Sequence, residues 1–146
     1  MIDWHTPFTQ VCEASRPPFA NWFVGGTTNL CHNAVDRHAA GRGEQNALIW
    51  VSTEVDREVV YSFRELQAEV ERMAAILQSL GVTQGDRVLL YMPMIPEAVF
   101  AMLACVRIGA IHSVVFGGFA AASLAARIDD AKPKVMVTSD AGMPVE

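Results

Sequence analysis

Residues 86–119, DRVLLYMPMIPEAVFAMLACVRIGAIHSVVFGGF, narrow the choice of fold more than any other part of the chain. A short apolar run, 87–91, is closed by Pro93 and Pro96. Proline cannot donate to a sheet ladder but suits the first turn of a helix, so a strand ends here and a helix begins. The helix expected over 97–108 has no wide polar face and should be buried on most sides. Twelve residues are too few to cross a bilayer. Gly109 supplies a left-handed stop, and 111–116 is a second apolar run of strand length. The economical reading is a right-handed β-α-β unit with a parallel pair. Cover on both faces of such a sheet explains strands that read as continuous apolar runs rather than alternating ones.

Composition excludes several classes of function. The 146 residues are 51% hydrophobic with a net charge of -5, ordinary for one α/β domain able to bury a core. The eleven Lys and Arg are scattered, which argues against a nucleic-acid partner. Cys12, Cys31 and Cys105 are odd in number and lack C-x-x-C spacing, so neither a disulfide framework nor a zinc ribbon is expected, and a reducing cytoplasm fits. The N-terminal MIDWHTPFTQ lacks the charged and apolar regions of a signal peptide, and no apolar run is long enough for a membrane span.

Upstream, residues 1–28 carry Pro7, Pro17, Pro18 and a Gly25-Gly26-Thr27-Thr28 turn, and read as an irregular arm. Trp4, Phe8, Phe19, Trp22 and Phe23 along it imply that it packs on something, either its own domain or a surface outside this chain. Thr28 or Asn29 can cap a helix over 30–40 that ends at Gly41. The runs 47–52 and 58–61, separated by charged residues, predict a β-hairpin with an exposed tip. Ser62 and Glu65 form an S-x-x-E capping box, and Leu66, Val70, Met73, Ala74 and Leu77 trace one stripe of the helix it starts, which Gly81 ends. Beyond residue 119, a small helix over 120–130, a Lys132-Pro133 turn and a third strand over 134–138 complete a β-α-β-α-β order. The expected fold is α/β: a partial doubly wound parallel sheet preceded by the arm, a helix and a hairpin. A doubly wound fold would continue past the third strand, so the chain reads as cut.

Motifs for chemistry are few. No P-loop, G-x-G-x-x-G, G-x-S-x-G or H-E-x-x-H occurs. Cys31 and His32 have no second nearby pair to complete a metal site. His112 and Ser113 are neighbours in a strand, point to opposite faces and cannot act as base and nucleophile. The promising feature is Gly117-Gly118, at the carboxyl end of a parallel strand and just before a helix, the edge where open α/β sheets bind ligands. Glycines there let a ligand approach the backbone, and the following amides can face an anion. The plainer reading is a turn that requires positive φ.

Three strings, WFVGGTTNLCHNAVDRH at 22–38, VVYSFRELQAEVERMAAILQSLGVTQGDRV at 59–88 and YMPMIPEAVFAMLACVRIGAIHSVVFGGF at 91–119, together resemble the N-terminal part of the AMP-forming acyl-CoA synthetases of the acetyl-CoA synthetase type. IDWHTPFTQV and NLCHNAVDRH are closer to the propionate-CoA ligase branch. The resemblance implies residues 1–45 as the arm and first helix of that family and 46–146 as the first part of its AMP-binding domain, incomplete relative to the family's. It implies a two-step ligase that uses ATP, Mg2+ and CoA to turn propionate or acetate into its thioester through an acyl-adenylate. The family's phosphate loop, ribose-binding Asp, Arg and mobile Lys match nothing in this chain, which by itself is expected to be inactive with no catalytic residue.

What the resemblance carries over is Gly118 of the GGF string, near the CoA nucleotide in the family, with Gly117 and Phe119 beside it. Met143, Pro144, Val145 and Glu146 follow SDAG where the family has a basic segment for the CoA phosphate, so CoA is expected to bind weakly at best. The alternative is a non-enzymatic module of the same fold that binds a nucleotide or a protein. An open sheet edge adds an expectation of self-association.

Overall fold

The computed structural model describes residues 1–118 and 120–140, so Phe119 and the 143–146 segment lie outside the described residues. The chain is mixed α/β, as its patterning predicts. Its main sheet holds three parallel strands: β5 (Arg87–Met92) in the centre, β6 (Ile111–Phe116) on one side and β7 (Val135–Thr138) on the other. Two antiparallel hairpins precede it: β1 (Gln10–Arg16) with β2 (Phe19–Val24), and β3 (Asn46–Ser52) with β4 (Arg57–Ser62). The helices are α1 (Arg37–Arg42), α2 (Phe63–Ser79), α3 (Pro96–Arg107) and α4 (Ala121–Ala131).

Each boundary of the central unit has a local cause. Pro96 opens α3 at its first position, and Gly109, at φ +72, turns the chain into β6. In α2, the Ser62 hydroxyl accepts from the Glu65 amide at 3.2 Å while the Glu65 carboxylate accepts from the Ser62 amide at 2.8 Å. Two further amides of that helix start, on Phe63 and Arg64, donate to the carbonyls of Gln45 and Gly43.

The strand order β6-β5-β7 requires the chain to leave β5 in one direction and to cross back over it on the way to β7. Right-handed crossovers then put α3 and α4 on opposite faces. On the α3 face, Val88 and Leu90 join Phe100, Ala101, Ala104 and Cys105 of α3 and Leu66, Val70, Ala74 and Leu77 of α2 in one buried cluster. Leu89 points the other way and is also fully buried. Two-sided cover is why β5 reads as an unbroken apolar run.

Two expectations are corrected. Residues 1–28 are not irregular throughout, since β1 and β2 pair from Gln10↔Val24 to Arg16↔Phe19. Pro17 and Pro18, which argue against a strand, occupy the turn between the two, where no ladder amide is needed. The arm's aromatics pack largely on one another, with the Trp4, Phe8 and Phe23 rings 5.2 to 5.3 Å apart, while Phe19 and Trp22 stay exposed. Second, the first helix does not stop at Gly41. It passes through a π turn (His32–Asp36) and α1 and leaves at Gly43, where a Cβ would lie 2.7 Å from the Ala39 carbonyl oxygen.

The arm closes onto this helix through Asp3. Its amide donates to Asn33 Oδ1 at 2.7 Å, its carbonyl accepts from the Thr28 hydroxyl at 2.7 Å, and its carboxylate lies 3.4 Å from Arg37 and 3.5 Å from His32.

Candidate functional site

The carboxyl edge of the main sheet is shaped by the loops that leave β5 and β6 for opposite faces. Residues 93–95 lead to α3. Gly117 and Gly118 follow β6 on the way to α4. This divergence beside the central strand is where doubly wound sheets bind their ligands. The first turn of α4 is closed by the Ser123 and Leu124 amides on the Ala120 carbonyl, with no side-chain cap.

The structure brings Gly117 and Gly118 to this edge, as expected; Phe119 lies outside the described residues. It removes the plainer explanation for the two glycines, because neither has a φ in the left-handed region. Both are explained by close approach. A Cβ on Gly117 would lie 3.3 Å from Met92 C, Met92 O and Pro93 N, so the β6 loop is packed on the backbone of the β5 loop. A Cβ on Gly118 would lie 2.6 Å from the Phe116 ring, which is half exposed beside it. The absent side chains thus keep two loops and one aromatic ring in contact at the mouth of the sheet.

The β5 loop has a support that the sequence did not reveal. The Trp50 indole Nε1 donates to the Met94 carbonyl at 2.8 Å, joining β3 to the loop across the chain. Trp50 is half-buried, whereas the Met94 side chain is 78% exposed.

The motifs set aside as unlikely chemistry occupy ordinary positions. Cys31 is fully buried, with Arg107 Nη1 3.7 Å from its sulfur, whereas His32 faces Asp3. Burial raises the Cys31 thiol pKa, although the Arg107 bond opposes the shift. Arg107 also donates to both oxygens of Asp36 at 2.7 and 2.8 Å and to Glu71 at 2.8 Å, a charge network among helices and away from the sheet edge. Among the described residues no group of three or more His, Cys, Asp and Glu is placed to hold a metal ion. No helix among them is long and apolar enough to cross a membrane.

The sequence pattern of the AMP-binding enzyme family matches residues 35–146. The chain belongs to that family. Residues 1–34 match the acetyl-coenzyme A synthetase N-terminus, which bears out the resemblance to acyl-CoA synthetases of the acetyl-CoA synthetase type. The chain is 64% identical over 141 residues to a propionate--CoA ligase of Salmonella typhimurium and 52% identical over 145 residues to an acetyl-coenzyme A synthetase of Methylobacterium radiotolerans. Each match takes in 97% of this chain and 22% of the relative, so the chain spans about a fifth of the length of the curated relatives it matches. Among solved structures it is similar to an acetoacetyl-CoA synthetase from Streptomyces lividans, with a TM-score of 0.86 and 35% identity over 94% of this chain and 21% of that one.

Proposed function

We propose that this chain is the N-terminal part of a cytoplasmic propionate-CoA ligase, acetate being the alternative substrate, and that its glycine-bearing sheet edge contributes to the CoA nucleotide site. Residues 1–45 serve as arm and first helix, and 46–146 open the AMP-binding domain. The observation that carries the reading is the packing of Gly117 on the backbone that leaves β5, with Gly118 exposed beside it at the carboxyl edge. Gly118 exposes backbone at that edge with no side chain of its own over it, and an α-helix starts at Ala121. The 64% identity to a propionate--CoA ligase supports propionate over acetate.

The part this chain plays is binding and orientation. CoA supplies the thiol that takes the acyl group; the exposed backbone at Gly118 faces its nucleotide end, while Gly117 seats that loop on the β5 loop. No step through ATP or magnesium is assigned to this chain. In this reading the chain by itself is inactive, and its open β6 and β7 edges favour self-association.

The test is ATP–pyrophosphate exchange by the full-length ligase that contains this chain, run with propionate and with acetate, and repeated with the chain alone. Exchange with propionate should be the faster, and the chain alone should give none. Faster exchange with acetate would overturn the substrate assignment. Exchange by the chain alone would overturn the division of labour.

A further inference from the structure

We infer that Trp50 is a positioning residue for the nucleotide edge, acting through its bond to the Met94 carbonyl; this rests on reading that edge as a CoA site. Three observations meet at the β5 loop. Gly117 has its tight backbone approach to Met92 and Pro93 there. The Ile95 amide donates to the Pro93 carbonyl at 2.9 Å, and the Ala98 amide donates to the Ile95 carbonyl at 3.0 Å, so the loop is a compact turn feeding directly into α3. Its middle carbonyl, on Met94, accepts from the Trp50 indole at 2.8 Å.

Pro93 and Pro96 have no amide to donate, so the loop has few backbone bonds of its own with which to hold one conformation. An indole N–H supplies one from a rigid side chain. Trp50 reaches it because strand alternation turns Leu48 and Trp50 inward and leaves Ile49 and Val51 exposed on the other face of β3. The hairpin β3–β4 thus braces the wall on which the glycine loop rests. A shift of that wall is transmitted to Gly117, whose loop rests on it closely enough that a Cβ there would lie 3.3 Å from the Met92 and Pro93 backbone. Trp50 touches no reacting atom in this account.

The test is a CoA titration of the isotopically labelled chain, followed by NMR. CoA at millimolar concentration should shift the amides of Gly117, Gly118 and Met94 together with the indole N–H of Trp50. In Trp50→Phe the dissociation constant should rise about three- to tenfold, the change expected for one lost hydrogen bond. The wild-type indole signal keeps the proposal testable if the variant does not fold. An indole resonance that stays still while Gly117 and Gly118 move, or an unchanged dissociation constant in Trp50→Phe, would overturn the role of Trp50 and leave the nucleotide edge standing. Absence of any shift at Gly117 and Gly118 would remove the nucleotide reading, and this proposal with it.

Discussion

Asn29 joins the helix it starts to Arg107, at the far end of another. Its Oδ1 accepts from the His32 amide at 3.1 Å, while its Nδ2 donates to the carbonyls of Val106 and Arg107 at 3.0 and 3.1 Å. One amide side chain therefore caps the amino end of the first helix and the carboxyl end of α3, bringing opposite ends of two helix dipoles together. Asn29→Ala should lower stability by about 1–2 kcal/mol, the loss of a cap plus hydrogen bonds. Asn29→Asp keeps the acceptor and loses both donors, so it should not recover the wild-type value. Urea unfolding of the three proteins measures this; equal midpoints would show that the double cap contributes nothing.

The two glycines at the sheet edge should respond differently to added bulk. Gly117→Ala places a methyl 3.3 Å from the Met92 and Pro93 backbone, which must shift to take it, at a cost of about 1–3 kcal/mol. Gly118→Ala meets first the Phe116 ring, a side chain rather than backbone, and should cost less. Thermal melts of both variants give the order. In the full-length ligase, Gly118→Val should impair thioester formation more than ATP–pyrophosphate exchange, because bulk at that edge obstructs CoA. Equal loss in both assays would point to a distorted loop instead.

Asp86 makes stability depend on acid. Its carboxyl pKa is lowered from 3.8 to about 2, first by the Lys134 ammonium at 2.9 Å and then by the Thr83 amide and hydroxyl. Because the folded pKa is the lower one, the stabilisation is fully present above the ordinary carboxyl pKa and fades as pH falls from about 4 toward 2. Lys134→Met should flatten this part of the stability profile. Profiles that run parallel over this pH range would exclude the pair as the source.

The three thiols should separate by reactivity. Cys31 and Cys105 are fully buried, and burial raises both thiols, Cys105 to about 11. Thiolate is the reactive form, so both should resist a disulfide reagent at pH 8 in the folded chain. Cys12, half-buried in β1, should react first. One rapid equivalent that Cys12→Ser abolishes is the expected result, and fast labelling of Cys105 would show that α3 opens readily.

Local chemistry made much of this fold legible. The prolines at 93 and 96, the Ser62–Glu65 box, the α2 stripe and the stops at Gly81 and Gly109 each act within a few residues of themselves, and elements appear where those signals place them. The glycine pair was readable as a candidate site for the same reason, since it follows a strand and precedes a helix. Its cause was not. Close approach of Gly117 to Met92 and of Gly118 to Phe116, rather than positive φ, depends on how two loops and a ring meet. The arm misled because prolines suppress a strand signal even when they serve as the turn between two strands.

By itself, then, the sequence determined the type and order of most elements and the family, because helix period, strand runs, caps and long matching strings are properties of contiguous residues. Only the tertiary structure decided that β5 lies between β6 and β7, that Asn29 serves two helices, and that Trp50 braces the loop beside Gly117. These depend on which distant groups are left unpaired once the core has closed. A single indole N–H forty-four residues from its acceptor leaves no periodic trace in the chain.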